Sequence, residues 1–362
     1  MITVSAPGKL FVAGEYAVVE PGEPSVLVAV DRYLTVRLSE SEGTGSVHSS
    51  EYGRMPVTWW HDGGGVSIDR DHRPYEYVLA ALTVVERLRT ELGIAPRLSD
   101  LRIESQLDDA SGRKFGLGSS AAVTVATIAA LDEFYGLGLS RRQRFQLALL
   151  ATITIAPTAS GGDLAASTFG GWIEYRAPDR AALLRSMPTS DLVRLLDDDA
   201  WSALRVTRLR PPPRLRMLVG WTGEPASTAR LVDEVQHRKG SADLGYERFL
   251  TRSRECVGRL VAGLDRGEEP EVLEAIRQAR RLLRRLGTDA GLAIETERLA
   301  VLCDAAEAAG AAAKPSGAGG GDCGIVLAPD DIQLGAMLRE WEEHDIRHLT
   351  VSVHSAEGPV DG

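Results

Sequence analysis

Apolar positions along the chain fall into two patterns, short alternating runs and longer stretches with spacing near 3.6. The runs 2–5 (ITVS), 26–30 (VLVAV) and 33–38 (YLTVRL) are rich in β-branched residues and separated by Gly/Pro turns, which predicts strands. Two short strands are predicted within 57–69 (VTWWHDGGGVSID), around Asp62-Gly63-Gly64-Gly65, and another at 101–107, where LRIESQL alternates like a half-buried strand. Helical spacing predicts helices over 75–92, stopped at Gly93, over 120–135, stopped at Gly136, and over 141–153. FGGWIEY, 169–175, predicts a strand that enters an irregular charged region, 177–205.

Pro211-Pro212-Pro213 cannot donate to a ladder and marks the expected domain boundary, dividing the chain into 1–208 and 209–362. Beyond it, predicted strands at 215–221, 322–328 and 349–354 alternate with helical stretches at 226–262, 268–287, 295–309 and 330–343. That order points to an α/β chain with a sheet covered by helices.

Composition narrows the function without choosing it. The 362 residues are 44% hydrophobic and 25% charged, an ordinary globular balance. A net charge of −10 argues against a broad nucleic-acid surface but leaves room for a local phosphate pocket. No apolar stretch approaches the ~20 residues that span a bilayer, and the N-terminal residues lack a signal-peptide pattern. Cys256, Cys303 and Cys323 form no CxxC pair, so a protein of the reduced cytoplasm is expected.

Three glycine-rich segments carry the candidate chemistry. In GRKFGLGSSAAV, Gly116-x-Gly118-x-x-Ala121 formally fits a dinucleotide fingerprint. Eight residues separate it from the preceding strand, however, and Asp132 and Glu133 lie inside the predicted helix, so the fit is poor. No Lys-Ser/Thr follows the glycines, which also excludes a Walker A loop. Two readings stand: small residues that bring N–H groups and a helix N-terminus to an anion, or a tight turn with a serine N-cap. AAAKPSGAGGGDCGI, 311–325, lies between a helix and a buried strand, which suits a backbone that touches a ligand better than a linker. In PTASGGDLAASTFGG, Asp163 is either a helix N-cap or, beside a cation, a proton acceptor. Lys9, in SAPGKLFVAGEY, follows a Pro-Gly turn that feeds a strand.

Taken in order, APGKLFVAGEY, KFGLGSSAAV, ASGGDLAAS with its trailing GG, and KPSGAGGGDCG resemble the motifs of the GHMP kinases, and they span residues 6–324. The superfamily is named for galactokinase, homoserine kinase, mevalonate kinase and phosphomevalonate kinase. Gly14-Glu15-Tyr16, the segment Lys314 to Gly324 and GWTGEPASTARLV, 220–232, are similar to the bacterial branch acting on phosphomevalonate. Mevalonate-phosphorylating members usually carry His after Gly-Glu, and Pro-Ser-Gly-x-Asp where this chain has Ala159-Ser160-Gly161-Gly162-Asp163.

The resemblance implies an α/β (α+β) fold of two domains, ribosomal-protein-S5-like and then ferredoxin-like, with the active site in the cleft between them. It implies ATP-dependent phosphorylation of (R)-5-phosphomevalonate to (R)-5-diphosphomevalonate, in the mevalonate route to isoprenoids, with Mg2+ accompanying ATP. Lys9 and Asp163 become the catalytic pair: Lys9 bridges the repelling phosphates, while Asp163 holds Lys9 or takes a proton. Lys114, Gly116, Leu117, Gly118, Ser119, Ser120 and Ala121 are expected around the ATP phosphates, with Ser120 a magnesium ligand. Tyr16, Ser160, Gly161, Gly162, Ser227, Thr228, Gly317, Ala318 and Gly319 are expected at the substrate. Rival readings are mevalonate kinase or another GHMP small-molecule kinase, the related decarboxylase, and a silent small-molecule sensor.

Other features invite plainer readings. The arginines of RQARRLLRRLG, 277–287, suit a solvated helix face. His344 and His348 flank a predicted helix end and are not expected to share a metal, and Cys323 is read as a small filler.

Overall fold

A computed structural model describes residues 1–49, 55–62, 65–69, 75–109, 111–239, 245–356 and 358. Eight strands form the larger sheet: β1 (Ile2–Ala13), β2 (Pro24–Ser41), β3 (Gly45–Ser49), β4 (Val57–Asp62), β5 (Gly65–Ile68), β6 (Leu98–Ser105), β7 (Trp172–Arg176) and β8 (Arg205–Leu209). Their order is β5-β4-β3-β6-β2-β7-β8, with β1 also paired to β2. Only the β3–β6 pairing is parallel among those described. A second, antiparallel sheet contains β9 (Leu215–Trp221), β10 (Ala312–Pro315), β11 (Cys323–Pro329) and β12 (Arg347–Leu349), in the order β10-β11-β9-β12.

Helices cover these sheets. Those of the first half are α1 (Glu76–Glu91), α2 (Ser119–Tyr135), α3 (Arg141–Ile155), α4 (Gly162–Phe169), α5 (Arg180–Ser186) and α6 (Leu192–Leu195). The second half holds α7 (Thr228–Arg238), α8 (Tyr246–Arg266), α9 (Glu269–Ala290), α10 (Glu297–Ala308) and α11 (Gly335–Glu343). The chain thus adopts the mixed α/β class expected of it. One apolar cluster runs from Val28 and Leu27 in the larger sheet to Val219 and Ile325 in the smaller, so the sheets share a core. No helix among the described residues is long and apolar enough to cross a membrane.

Several elements differ from the sequence expectation, each for a local reason. β1 continues past the Pro7-Gly8 pair because a register shift between those residues absorbs the break in pairing. Lys9 therefore lies within a strand rather than on a turn. The runs 26–30 and 33–38 are one strand, β2, whose first part pairs β7 and whose later part pairs β6. Phe169 ends α4, leaving only 172–176 as strand. The region 177–205 holds α5 and α6, with the N-cap side chain of Asp179 accepting from the Ala182 N–H of α5. The expected helix 226–262 is two, the second starting after Gly245, whose φ of 55° breaks helical geometry. The expected helix over 330–343 begins only at Gly335.

The expected strand 349–354 divides. Leu349 ends β12 in the smaller sheet, and the chain then returns to the larger one through a Val30–Val353 bridge. There the His354 N–H donates to Ala29 O at 2.9 Å and the Gly171 N–H to His354 O at 2.8 Å.

Candidate active site

Between the start of α2, the loop before α4 and the glycine-rich turn before β11 lies a cavity of ≈ 680 Å³. Most of the expected site residues meet there although they come from five separate stretches of chain. Lys9, Tyr16, Lys114, the whole run Gly116 to Ala121, Ser160, Asp163, Ser227, Gly317 and Ala318 all line it. Gly161, Gly162 and Gly319 do not, and the side chain of Thr228 lies outside the described residues.

Lys9 is delivered by β1 and is 8% exposed. Its own N–H donates to Leu117 O at 2.9 Å, tying the strand to the glycine loop, and its Nζ donates to Gly116 O at 3.4 Å. The ammonium also lies 5.6 Å from the centre of the Phe11 ring. Gly118 has a φ of +85°, and a Cβ there would stand 2.8 Å from Lys9 Cε. Gly116, at φ +81°, would place a Cβ 2.5 Å from Asp322 Cβ. Both glycines are therefore needed because two charged side chains cross the loop.

α2 begins at Ser119, with Gly118 as its N-cap and no side-chain cap bond. Neither serine is the N-cap, so that bland reading of the loop lapses. The first N–H groups of a helix have no intrahelical acceptor, and Ser119, Ser120 and Ala121 line the cavity. The loop thus turns unsatisfied donors and the positive end of a helix toward the space an anion would fill.

The direct Lys9–Asp163 pair expected from the sequence is not among the ion pairs of the described residues. Asp163 sits in the first turn of α4, where its Oδ1 accepts from the Leu164 N–H at 3.0 Å. Both residues line the cavity.

Asp322 is the carboxylate that the sequence reading missed. It lines the cavity beside Gly116, and burial pushes its carboxyl up to about 6. The Ala226 N–H and the charges of Lys9 and Lys114 pull in the opposite direction. Its backbone is pinned at φ 52°, with its N–H donating to Glu224 O at 2.8 Å and its carbonyl accepting from the Thr222 N–H at 2.9 Å. The signal available in sequence was an acidic residue ending a glycine run.

Close backbone crossing, rather than ligand contact, explains most of that run. A Cβ at Gly319 would stand 2.1 Å from Ile294 O, and one at Gly321 would stand 2.4 Å from Glu224 O. Only open space surrounds Gly317, which borders the cavity. Ser227 lines the cavity and also caps α7, its Oγ accepting from the Arg230 N–H at 3.5 Å.

The first and last motifs interlock. Tyr16 Oη donates to Ala318 O at 2.5 Å, while Ser316 Oγ accepts from the Phe11 N–H at 2.9 Å and donates to Phe11 O at 3.0 Å. Lys314, fully buried, pairs with Glu15 and donates to Pro315 O at 2.6 Å. Cys323 packs beneath this region with its Sγ donating to Phe115 O at 2.9 Å, and burial pushes its thiol up. Among the described residues no group of three or more His, Cys, Asp or Glu could hold a metal ion.

Comparison with known proteins accords with this geometry. Residues 76–171 match the family model for the GHMP kinases N terminal domain, and 260–346 match that for GHMP kinases C terminal. The chain is 50% identical to a phosphomevalonate kinase of Streptomyces sp. strain CL190, over 96% of each chain. It is 29% identical to a mevalonate kinase of Pyrococcus horikoshii, over 91% of this chain and 89% of that one. Among solved structures, the Lin0012 protein of Listeria innocua superposes with a TM-score of 0.90 at 35% identity, covering 98% of each chain. Streptococcus pneumoniae phosphomevalonate kinase, in complex with phosphomevalonate and AMPPNP, superposes with a TM-score of 0.86 at 28% identity, covering 98% of this chain and 100% of that one.

Proposed function

The chain belongs to the GHMP kinase family, and from that premise we propose that it transfers the γ-phosphoryl group of ATP to 5-phosphomevalonate, giving 5-diphosphomevalonate and ADP. The observation that carries this reading is one cavity in which an uncapped helix N-terminus, the buried Lys9 and the aspartates Asp163 and Asp322 meet. The choice of acceptor follows the 50% identity to the Streptomyces phosphomevalonate kinase.

The chemistry suits the cavity. An acceptor phosphate has a second pKa of ~6, so near neutrality its oxygen is already anionic and needs little help from a base. The obstacle is bringing two phosphates together, which makes positioning and charge neutralisation the main tasks. Lys9 supplies the buried cation, and the first N–H groups of α2 receive nucleotide oxygens. Asp163 orients the acceptor side or takes the last proton from a monoprotonated phosphate. Leu117, Lys114 and the Gly116–Ala121 loop enclose the ATP phosphates in this scheme. Tyr16, Ser160, Ser227, Gly317 and Ala318 border the acceptor. Gly161, Gly162 and Gly319 act there through the backbone shapes they permit.

Magnesium arriving with ATP fits these residues. Ser120, Asp163 and Asp322 line the cavity and carry oxygen donors, and Mg2+ commonly takes one or two protein oxygens together with substrate phosphates. Its contribution when bound is neutralisation of phosphate oxygens. We place the reaction in the cytoplasm, because both substrates are charged and water-soluble.

ADP release with ATP and Mg2+ tests the proposal, comparing 5-phosphomevalonate, mevalonate, homoserine and galactose at equal concentrations. Turnover with phosphomevalonate alone, abolished in Lys9→Met, is the expected result. A preference for mevalonate would overturn the acceptor, and silence with all four would overturn the kinase reading.

A further inference from the structure

Arg180 is a buried cation that the scheme above leaves unused. It is the first residue of α5, where a helix dipole disfavours positive charge, yet it is only 8% exposed. None of the ion pairs among the described residues includes it. Its Nη1 donates to Thr158 O at 3.0 Å and to Ala159 O at 2.6 Å, its Nη2 donates to Val19 O, and its buried Nε has no partner. Glu20 and Asp179 attract the charge only from a distance, and burial outweighs them, pulling the guanidinium pKa down. A buried charge without a paired anion is costly to a fold unless something offsets it.

The three carbonyls that hold this guanidinium belong to residues in the wall of the cavity. No peptide bond among the described residues is cis, so each N–H points opposite to the C=O of its own peptide. With Ala159 O turned to Arg180, the Ser160 N–H faces away from the cation. The next peptide repeats the arrangement, because Ser160 O accepts from Tyr175 Oη at 2.8 Å and so turns the Gly161 N–H away from Tyr175. Neither N–H has a protein acceptor among the described residues. Gly161 permits this geometry: its φ is +80°, and a Cβ there would stand 2.9 Å from Tyr175 Oη. The segment therefore has its acceptors satisfied from behind and two donors left over, directly before the uncapped start of α4.

The geometry points to Arg180 as a positioning residue for the phosphorylated acceptor. Held behind the wall, it fixes and polarises the 158–161 segment so that the N–H of Ser160, a residue of the cavity wall, receives the acceptor's phosphate. It thereby favours a phosphorylated substrate over the corresponding alcohol. This inference rests on the acceptor proposed above. It assigns no proton transfer to Arg180, whose side chain does not border the cavity.

Arg180→Met and Arg180→Lys test it through substrate discrimination. In Arg180→Met, KM for phosphomevalonate is expected to rise about tenfold while KM for ATP stays within about twofold. The ratio of mevalonate to phosphomevalonate dissociation constants, from competition, should fall by about the same factor, and Arg180→Lys should restore part of it. Equal weakening of mevalonate and phosphomevalonate would mark a merely structural role and overturn the inference. If Arg180→Met does not fold, Tyr175→Phe removes the second support from Ser160 and should shift the same ratio in the same direction. An unchanged ratio there would also overturn it.

Calorimetric binding of 5-phosphomevalonate without nucleotide separates this idea from the functional one. Arg180-dependent binding without turnover would sink the proposed reaction and leave the inference standing. Normal turnover with an unchanged KM in Arg180→Met would do the reverse.

Discussion

Asp322 shows how far a residue's chemistry depends on what surrounds it. Burial holds its carboxyl near 6, whereas an unfolded aspartate titrates near ~3.9. Between those values the folded chain keeps a proton that the unfolded chain has lost, so stability is highest below about pH 4 on this account. It declines as the pH rises through about 6, and Asp322 adds no further change above that. Two units correspond to roughly 3 kcal/mol, and screening at a site partly open to solvent leaves about 1–2 kcal/mol. Thermal melts of Asp322→Asn and the parent chain from pH 4 to 7 should therefore converge at the acid end and separate toward neutrality, with Asn the more stable. Parallel curves would mean that Asp322 titrates as an ordinary surface carboxylate. No sequence pattern announces such a shift, since its cause is burial, and the residues that pack around Asp322, Gly116 among them, come from distant parts of the chain.

Within elements, the glycine loop separates two kinds of requirement. Gly118→Ala forces a Cβ to within 2.8 Å of Lys9 Cε at a φ of +85°, so it disturbs the buried lysine as well as the backbone. Gly317→Ala meets nothing within 4 Å and carries only the strain of φ +83°, about 1–2 kcal/mol. Both variants should lower Tm, but kcat should drop at least tenfold only in Gly118→Ala, because a displaced Lys9 no longer meets the phosphates. A comparable loss in both would show that Lys9 placement is not what Gly118 protects. The helix of 119–135 and the strands 57–62 and 65–68 were legible because their signals are local: apolar period, glycine stops and turn residues. The continuation of β1 past Pro7-Gly8 was not, because only a partner strand can absorb a register shift. In the arginine run, Arg281, Arg284 and Arg285 are exposed as a solvated face would have them, and one residue departs. Arg280 is 3% exposed and meets Glu295, Asp304 and Glu307, acids that come beside it only once α10 folds back on α9. The cavity followed suit: Lys9, Ser120 and Asp163, singled out from their motifs, line it, while the surroundings of Asp322 and Arg180 are set by distant neighbours.

At the scale of the whole molecule, the cavity exists because the first and last motifs are fastened to each other. Lys314 on β10 is 0% exposed and pairs with Glu15, itself 3% exposed, which lines the cavity beside Tyr16. Tyr16 has a φ of 62°, and its hydroxyl donates to Ala318 O, so this one segment carries strain, a buried charge and the cavity wall together. Removing the cation alone leaves a carboxylate buried with nothing to neutralise it, which typically costs about 3–5 kcal/mol. Lys314→Met should therefore lower Tm by roughly 4–7 °C, at ~1.3 °C per kcal/mol for 362 residues each contributing ~2.1 cal/mol/K of unfolding entropy. The double variant Glu15→Gln/Lys314→Met removes both charges and should recover much of that loss, since an apolar replacement of a buried pair is often close to neutral. Activity should follow a different course. The recovered double variant still lacks the clamp between the two motifs, so its KM for the acceptor should stay raised after its Tm returns. If KM recovered in step with Tm, the pair would serve the fold alone, and the cavity would owe its shape to the Tyr16 and Ser316 bonds instead.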